Sequence, residues 1–235
     1  MIIDNKYRIE SQLTTLLNSD LFKAFDVESC EFVILERYQN MNESVFEQII
    51  ETIKKINSYE FENGIKLTLK FLNNIKFQNQ FYCIYEYCKV EKFETADKIC
   101  VLAKNIQKIH ELNLVHGRLV PQNIIICNNI PLIMGFGLIE VAKIYTLTSF
   151  NRSFLPPELI QGKSCSKESD YFSIGAIAYY LYTKKELLTE TIINQIQNNI
   201  EFSIDYDGLE NNSNEYNFVA LATKTDINTR ILKYE

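Results

Sequence analysis

The sequence predicts an α+β fold, with antiparallel strands and one helix in the N-terminal part and mostly helices in the C-terminal part. Polar and apolar side chains alternate over residues 7–38, as they do in half-buried strands, with turn residues near 18–20 and 27–30. Apolar side chains return at helical spacing over residues 42–57 and again over 95–112. The first pattern indicates a small sheet, and the second indicates helices that each bury one face.

Bulk composition indicates a globular protein and excludes two classes of partner. The chain has 235 residues, of which 46% are hydrophobic, enough to bury a core. It carries 24 basic and 30 acidic side chains, a net charge of −6, so it has no positive field that would attract nucleic acid. It contains neither a signal-peptide pattern nor a run of about 18 apolar residues. We therefore expect a soluble, cytoplasmic protein that binds neither nucleic acid nor membrane.

The cysteines and histidines are scattered. Reduced thiols are one interpretation of the cysteines, and a disulfide framework or a zinc site is the other. The absence of paired CxxC spacing favours reduced thiols for all six, which are Cys30, Cys83, Cys88, Cys100, Cys127 and Cys165. His110 and His116 suggest a metal or acid–base pair, but no carboxylate or thiol cluster accompanies them in the sequence. The sequence therefore predicts no metal site.

The elements of the N-terminal part follow one another closely. Three strands are expected within residues 7–38, and a helix follows with Asn42 as its N-cap and two lysines near its C-terminal end. Two further strands are expected at residues 65–72 and 80–88, joined by a polar turn around 73–74. Together these elements predict a small sheet with one helix.

The central stretch of the chain, residues 110–137, reads HELNLVHGRLVPQNIIICNNIPLIMGFG. A helix gives way to a short loop, then to two apolar runs around the turn at 128–129, and finally to Gly-Phe-Gly at 135–137. This stretch resembles the catalytic centre of the eukaryotic protein kinase family, whose pattern is H-R-D-x-x-x-x-N followed by D-F-G.

Within that stretch some positions of the family's motif are retained, whereas the positions that carry its catalytic groups are replaced. His116 and Asn123 match the family, in which the asparagine is the second metal ligand. Gly117 replaces the arginine, Arg118 replaces the catalytic aspartate, and Gly135 replaces the metal-binding aspartate. One neutral amide does not hold Mg²⁺ without a carboxylate. The resemblance therefore implies that Asn123 satisfies local backbone groups instead.

The resemblance extends to the N-terminal part. The three glycine positions of the family's phosphate-covering loop, G-x-G-x-x-G, fall on Thr14, Leu16 and Ser19. Side chains at these positions would crowd the phosphate path, so we expect a plain hairpin there. The lysine of V-A-I-K falls on Glu36, whose carboxylate would repel phosphate. The Lys–Glu ion pair of active kinases therefore cannot form.

Residues 83–88, CIYEYC, resemble the strand that enters the hinge of the family. Glu86, Tyr87 and Cys88 then form the hinge, whose backbone could still bind a nucleotide base. Tyr85 falls at the position that guards the back of the nucleotide pocket. Packing of a half-buried strand accounts for this tyrosine equally well.

Three positions of the C-terminal part resemble structural anchors of the family. The segment FLPPEL at 154–159 resembles A-P-E, and TDINTR resembles the family's D-x-x-x-R. The resemblance implies that Glu158 pairs with Arg230. It also implies that Asp170, in the segment matching the family's central helix, accepts hydrogen bonds from the backbone of the loop that carries His116.

The resemblance covers about residues 7–231 and implies a two-lobed protein-kinase-like fold. We expect one domain over residues 1–235. Its small lobe, residues 1–88, would hold the antiparallel sheet and one helix. Its larger, mainly helical lobe, residues 89–235, would be shortened at the C-terminal end.

The changed positions imply a pseudokinase, a catalytically inactive protein that binds protein partners as a scaffold, a regulatory subunit or a structural subunit of a large assembly. On this interpretation the chain is not an enzyme, has no cofactor and does not bind ATP. The alternative is a divergent protein kinase, or an ATP-binding nucleotidyl or phosphoryl transferase, in which Arg118 or Glu36 has a new role.

Overall fold

A computed structural model describes residues 1–38, 41–136 and 147–233, so Gly137 lies outside the described part. The strands are β1 (Ile2–Ile3), β2 (Tyr7–Thr15), β3 (Ser19–Asp26), β4 (Glu31–Tyr38), β5 (Phe71–Phe77), β6 (Gln80–Glu86), β7 (Val90–Lys92), β8 (Ile124–Cys127) and β9 (Ile130–Ile133). The α-helices are α1 (Glu43–Asn63), α2 (Ile99–Glu111), α3 (Ser149–Arg152), α4 (Pro157–Ile160), α5 (Lys167–Thr183), α6 (Glu190–Gln197) and α7 (Asn214–Ala222). Single 3₁₀ turns lie at Ala96–Lys98, Pro121–Asn123 and Ile227–Thr229.

The chain divides into two compact units. The first comprises residues 1–93 and the segment that begins at Gln122, and the second comprises residues 94–121 and the C-terminal residues from 147 on. β8 and β9 therefore belong to the β-rich unit, although they follow α2 in the chain. The single domain with a boundary at residue 88 stays a prediction.

The first unit contains two antiparallel sheets. Six strands pair in the order β1-β2-β3-β4-β6-β5, and three pair in the order β7-β8-β9. The three strands expected within residues 7–38 are present. The expected bounds of the next strand, 65–72, are wrong, because the strand runs from Phe71 to Phe77. The turn expected around 73–74 is formed instead by Gln78 and Asn79, with φ of 48° and 59°. Two left-handed residues are what a tight hairpin turn requires.

Helix α1 is bounded by a cap at each end. Asn42 Oδ1 accepts a hydrogen bond from the Val45 N–H at 2.9 Å, which confirms the expected N-cap. Gly64 ends the helix in the left-handed conformation, with φ of 63°. Its apolar face, which includes Ile49 and Ile53, packs into the same buried cluster as residues of the six-stranded sheet and of β8 and β9.

The loop between α1 and β5 is held by a buried carboxylate. Glu60 accepts hydrogen bonds from the backbone N–H groups of Leu67 and Thr68. These bonds satisfy backbone groups that a strand would have paired in a ladder. This is the physical reason why residues 65–70 form a loop although their side chains alternate.

The second unit is built on packed helices. Helix α5 is buried along most of its length and lies against α7. A Cβ at Gly175 would lie 2.5 Å from Thr223 Cγ2 and 2.8 Å from Ala222 Cβ, so this glycine sets the close approach of the two helices. Of the helices in the described ranges, none combines the length and the apolar character needed to cross a membrane.

Cys88 and Cys127 form a disulfide, with their Cα atoms 5.9 Å apart. The expectation of reduced thiols is therefore wrong for these two residues. They lie 39 residues apart in the sequence, but the pairing of β7 with β8 sets Val90 opposite Cys127 and so brings the residues after β6 to the end of β8. The other four cysteines are free thiols.

Candidate functional site

The Glu36 side chain is completely buried and accepts three hydroxyl hydrogen bonds. Ser19 Oγ donates to Oε1 at 2.6 Å, while the hydroxyls of Tyr38 and Tyr85 donate to Oε2 at 2.8 Å and 2.7 Å. These donors come from β3, β4 and β6, which are neighbours in the sheet. We call these four residues the Glu36 cluster. Tyr85 is thus a packed and hydrogen-bonded residue of the sheet.

Burial controls the protonation of this cluster. It raises the pKa of the Glu36 carboxyl above its ordinary value of 4.5, and the three hydroxyl donors oppose that shift. Burial, the neighbouring Cys83 and Glu36 itself raise the pKa of Tyr38 and of Tyr85 well above the ordinary value of 10. Both phenols therefore stay protonated and remain hydrogen-bond donors. The carboxylate is held by neutral donors, where the family places a cation.

The turn between β2 and β3 packs into the interior of the first unit. Leu16 is only 3% exposed and belongs to the buried apolar cluster around α1. The Leu16 N–H donates to the Ser19 C=O at 2.8 Å, which closes the turn, and the half-buried Thr14 precedes it in β2. The Leu17 N–H donates to Asn123 Oδ1 at 3.0 Å. The expected hairpin is present, and its tip is bound to the asparagine.

Gly135 and Asn123 fit closely against each other. Gly135 has φ of 79°, and a Cβ there would lie 2.9 Å from Asn123 Nδ2. An aspartate at position 135 would therefore meet the amide of Asn123 in a backbone conformation that favours glycine. Asn123 is 1% exposed, and its C=O accepts from the Met134 N–H at 2.8 Å. Its side-chain oxygen thus accepts a hydrogen bond from the backbone of Leu17, which lies 106 residues away in the sequence.

These positions do not fit a magnesium–nucleotide complex as the family binds one. Glu36 supplies a carboxyl where a lysine would meet the phosphates, and Gly135 supplies no carboxylate to a metal. Asn123 Oδ1 accepts the Leu17 N–H. In the rest of the described chain, no group of three His, Cys, Asp or Glu side chains could hold a metal ion. These residues therefore support no catalytic step that passes through Mg²⁺ or a nucleotide.

The residues assigned to the hinge make local contacts. The Glu86 N–H donates to the Lys70 C=O at 2.9 Å, and its carboxylate lies 3.1 Å from Lys70 Nζ. The Tyr87 ring packs against Phe32, with the ring centroids 5.8 Å apart. Cys88 forms the disulfide with the end of β8. This segment is therefore tied to the loop that precedes β5, to β4 and to the three-stranded sheet.

In the second unit, Asp170 organises the loop that carries His116. The His116 N–H donates to Oδ2 at 2.9 Å, the Gly117 N–H donates to Oδ1 at 2.8 Å, and His110 Nε2 lies 2.9 Å from Oδ2. His116 Nδ1 accepts the Arg118 N–H at 3.2 Å, and the Arg118 side chain is buried. Both histidines therefore help to hold this loop around one buried carboxylate.

Glu158 and Arg230 form a bidentate ion pair within the second unit. Arg230 Nη1 donates to Oε1 at 2.6 Å, and Nη2 donates to Oε2 at 2.9 Å. The Arg230 side chain is fully buried and also donates from Nε to the Lys224 C=O at 2.7 Å. Ser169 Oγ donates to Glu158 Oε1 at 2.7 Å. The pair thereby joins α4, α5 and the last 3₁₀ turn.

Two features of the site were missed by the sequence analysis. Tyr38 lies two residues after Glu36 in β4, and the two-residue period of a strand puts both side chains on one face. That spacing could have predicted their contact. The role of Ser19 depends on strand register, because Ser19 pairs with Tyr38 across β3 and β4. Register is not readable from this sequence alone.

Comparison with known families and proteins finds similarity to protein kinases. A family model described as the protein kinase domain matches residues 22–230. The probable serine/threonine-protein kinase nek1 of Dictyostelium discoideum is 24% identical over 238 residues, which covers 82% of this chain and 48% of that protein. The probable serine/threonine-protein kinase ireA of the same organism is 33% identical over 96 residues, 38% of this chain and 10% of that protein. This chain spans about half or less of the length of these relatives.

A solved structure shows the same fold. The twitchin kinase region from C. elegans superposes with a TM-score of 0.72 at 17% sequence identity, covering 99% of this chain and 44% of that one. At this identity the likeness concerns the fold alone. The predicted α+β protein-kinase-like fold is confirmed.

The comparisons also correct an expectation. The replaced residues led us to expect that the chain is not an enzyme. The matched family is that of the protein kinases, and the relatives named above are kinases by name. Because these matches place the chain in a family of protein kinases, they contradict that expectation.

Proposed function

Because this chain belongs to the protein kinase family, we propose that it uses a kinase fold to bind protein partners, as a regulatory, scaffold or structural subunit. The observation that supports this role most is how the chain fills the positions at which the family contacts ATP. Leu16 is buried, Asn123 is bound to Leu17, and Glu36 is bound to three hydroxyls. A fold whose nucleotide contacts are replaced still presents a shaped surface to other proteins.

The preserved frame supports the same role. Asp170 accepts backbone hydrogen bonds from the His116 loop, and the Glu158–Arg230 pair anchors the end of the second unit. Both arrangements keep buried charges satisfied. They hold surface loops in place without a nucleotide, as a binding surface for partners requires.

Phosphoryl transfer is the second candidate, because the matched family and the named relatives are protein kinases. It would need a chemistry different from that of the family, with Arg118 or Glu36 in a new role. This candidate differs from the first in one measurable respect, since it predicts magnesium-dependent turnover of ATP.

Native mass spectrometry of the tagged chain purified from its own cells tests the first proposal. We expect a complex of fixed stoichiometry between the chain and one or more other proteins. Recovery of the chain alone, at physiological salt and without dilution below its cellular concentration, would contradict the proposal.

Transfer of labelled phosphate from ATP in the presence of Mg²⁺ tests the second candidate. Matched variants are Glu36→Gln and Arg118→Ala, because the second candidate requires a new role for at least one of these two residues. Activity that either change abolishes would establish phosphoryl transfer by this chain. Activity that neither change alters would belong to a contaminating kinase.

We also propose a cytoplasmic location. Imaging of the tagged chain in cells tests it directly. Because disulfides are rare in reducing compartments, this proposal implies that the Cys88–Cys127 pair, which forms a disulfide in the structure, is largely reduced in the cell. A pair that is fully oxidised in cells, as shown by alkylation before lysis, would contradict the proposed location.

A further inference from the structure

We propose that Cys88 and Cys127 form a reversible redox site, at which a small hydroperoxide makes the disulfide and a dithiol breaks it. The disulfide joins the segment after β6 to the end of β8, within the first unit. The site would act as a sensor of oxidant in a cell that keeps the pair reduced at rest. This inference requires neither of the two functions proposed above.

The fold keeps the two cysteines close to each other. β7 pairs with β8 and sets Val90 opposite Cys127, while β6 ends at Glu86, two residues before Cys88. The Cα atoms of the two cysteines are 5.9 Å apart. Because backbone pairing maintains this arrangement, two thiols at these positions would meet without a search by the chain, which favours fast closure of the disulfide.

A lysine selects Cys127 as the more reactive sulfur. Lys66 Nζ donates to Cys127 Sγ at 4.0 Å. Cys127 is fully buried and Lys66 is half-buried, so salt screens this attraction less than it screens an exposed pair. An ammonium group beside a sulfur stabilises the thiolate, which is the form that attacks an oxidant. Lys66 therefore activates Cys127 whenever the pair is reduced.

Cys83, in β6, provides the contrast. It is also fully buried, and burial together with the neighbouring Glu36 raises the pKa of its thiol. Such a thiol stays protonated and reacts slowly with oxidants. The two buried sulfurs thus differ in the group beside them, a carboxyl at Cys83 and an ammonium at Cys127. We therefore expect oxidant to act on Cys127 and to spare Cys83.

A cavity beside the C-terminal end of α1 gives the oxidant its approach. Lys66 lines this cavity, which has a volume of about 720 Å³, and Cys127 lies behind Lys66. A molecule the size of hydrogen peroxide needs little more room than a water molecule to pass the lysine. Cys88 is 6% exposed and offers a dithiol its point of attack.

Oxidation takes place in two balanced steps. The Cys127 thiolate attacks one oxygen of hydrogen peroxide, the O–O bond breaks, and a sulfenic acid and hydroxide form. The hydroxide takes up the proton that the Cys127 thiol released. The Cys88 thiol then attacks the sulfenic sulfur, the S–S bond forms, and its proton leaves with the hydroxyl group as water. The sulfurs lose two electrons, which the peroxide gains. In the reverse direction a dithiol reduces the pair through a mixed disulfide and becomes a cyclic disulfide.

The state of the pair sets how firmly residues 87–92 are held. In the disulfide form this segment is bound covalently to β8. In the dithiol form it keeps three residue pairs between β7 and β8 and the contact of the Tyr87 ring with Phe32. Backbone amides of residues 87–92 should therefore exchange hydrogen faster in the dithiol form. Equal exchange in both forms would overturn this consequence of the proposal.

Mass spectrometry of the full chain tests the redox cycle. The background variant Cys30→Ser, Cys100→Ser removes exposed thiols that could link two chains. The reduced chain receives an equivalent of hydrogen peroxide, and free thiols are then alkylated in denaturant. We expect the Cys88–Cys127 disulfide to form, and to disappear when dithiothreitol is added to the folded chain. A disulfide that does not form, or that resists dithiothreitol until the chain unfolds, would overturn the proposal.

Dimedone, which labels sulfenic acids, tests the order of the two sulfurs. In Cys88→Ser the second thiol is missing, so peroxide should leave a sulfenic acid on Cys127 that dimedone labels. In Cys127→Ser we expect no label on Cys88. Circular dichroism verifies that both variants are folded, and the redox cycle of the background variant does not depend on them. Label on Cys88 and none on Cys127 would overturn the assignment.

The rate of disulfide formation tests the role of the lysine. Lys66→Met should slow the reaction about threefold, because the loss of thiolate is partly offset by a gain in nucleophilicity. Lys66→Arg should restore the rate, since it returns the positive charge. Lys70→Met is the matched control, because Lys70 lines the same cavity but pairs with Glu86. Equal rates in the wild type and Lys66→Met, or an equal loss in Lys70→Met, would overturn the role of Lys66.

Discussion

Glu36 illustrates how a sheet holds a buried carboxyl group without a cation. Removing an isolated carboxylate from water costs several kcal/mol, and the raised pKa of Glu36 reflects that penalty. A hydrogen bond to a charged group contributes about 1.5–3 kcal/mol, so three hydroxyl donors offset much of it. Serine and tyrosine hydroxyls can also accept hydrogen bonds. The cluster is therefore satisfied whether the carboxyl is ionised or protonated.

This cluster predicts a pH dependence of stability. The pKa of Glu36 in the folded protein lies above its ordinary value of 4.5. As the pH rises above that value the unfolded chain loses the proton while the folded chain keeps it, so the free energy of unfolding falls until the pH passes the folded pKa. Glu36→Gln removes this titration. The variant should therefore gain stability relative to the wild type over the same pH range.

Urea unfolding of both proteins at a series of pH values measures the difference. The pKa of Glu60 is also raised by burial, but Glu60 titrates in both proteins and cancels in the comparison. Parallel pH profiles of wild type and Glu36→Gln would contradict the prediction.

The ion pair between Glu158 and Arg230 predicts a large effect of a single substitution. Glu158→Ala leaves the fully buried Arg230 guanidinium without its bidentate partner, and breaking a buried pair on one side costs about 3–5 kcal/mol. Chemical denaturation should show this loss. The control is Lys185→Ala, which removes an exposed pair with Asp207 and should leave stability almost unchanged. A similar small effect at both positions would show that the buried pair contributes little.

Among single residues, the structural anchors could be predicted from the sequence, whereas the hydrogen-bond partners of Glu36 could not. The resemblance to the family implied Glu158, Asp170 and Arg230 as anchors, because each sits within a motif of fixed length. The hydroxyl partners of Glu36 depend on which residues face each other across strands. That register is set by long-range packing, so a local pattern does not contain it.

At the scale of elements, the packing of α5 on α7 depends on Gly175. In Gly175→Ala the new Cβ would lie 2.5 Å from Thr223 Cγ2, so the helices must separate, at a cost of about 1–3 kcal/mol. Thermal unfolding should show the loss. Adding Thr223→Ser removes the methyl group that is struck while keeping the hydroxyl that donates to the Val219 C=O. The double variant should recover part of the stability, and no recovery would mean that this contact is not the cause.

The disulfide links two elements of the first unit, the segment after β6 and strand β8. A link between residues 39 apart reduces the conformational freedom of the unfolded chain, which stabilises the fold by roughly 4 kcal/mol in the chain-entropy description. Urea unfolding with and without reductant should show a difference of this order, and Cys88→Ser should abolish it. Intact mass after alkylation in denaturant gives the oxidised fraction. A fully alkylated chain from oxidising buffer would contradict the prediction.

The loop between α1 and β5 shows why some elements escaped prediction. Residues 65–70 alternate as a strand does, but the carboxylate of Glu60 binds the N–H groups of Leu67 and Thr68. One side chain from a neighbouring helix thus overrides the local pattern. In contrast, the N-cap of α1 was readable because Asn42 acts on the helix that immediately follows it.

At the scale of the whole molecule, the fold was predictable because landmarks occur in the family's order and at its separations. The function was harder to predict, since partner surfaces carry no such motif. The cavity beside the C-terminal end of α1, for example, is lined by residues of a helix, a loop and two strands, which come together only in the folded chain.

The last prediction concerns ATP and the charges of the whole chain. Glu36 replaces a cation, Gly135 supplies no carboxylate, and the net charge of −6 repels a nucleotide. Each missing charge-assisted contact removes about 1.5–3 kcal/mol, so losing two of them weakens binding by roughly two to four orders of magnitude. We therefore expect ATP up to millimolar concentrations to leave the melting temperature unchanged, with or without Mg²⁺. A ligand at a hundred times its Kd would add about 2.7 kcal/mol of stability, which raises the melting temperature by several degrees. An ATP-binding kinase titrated in parallel is the positive control. A concentration-dependent rise for this chain at millimolar ATP or below would show that the nucleotide site still binds.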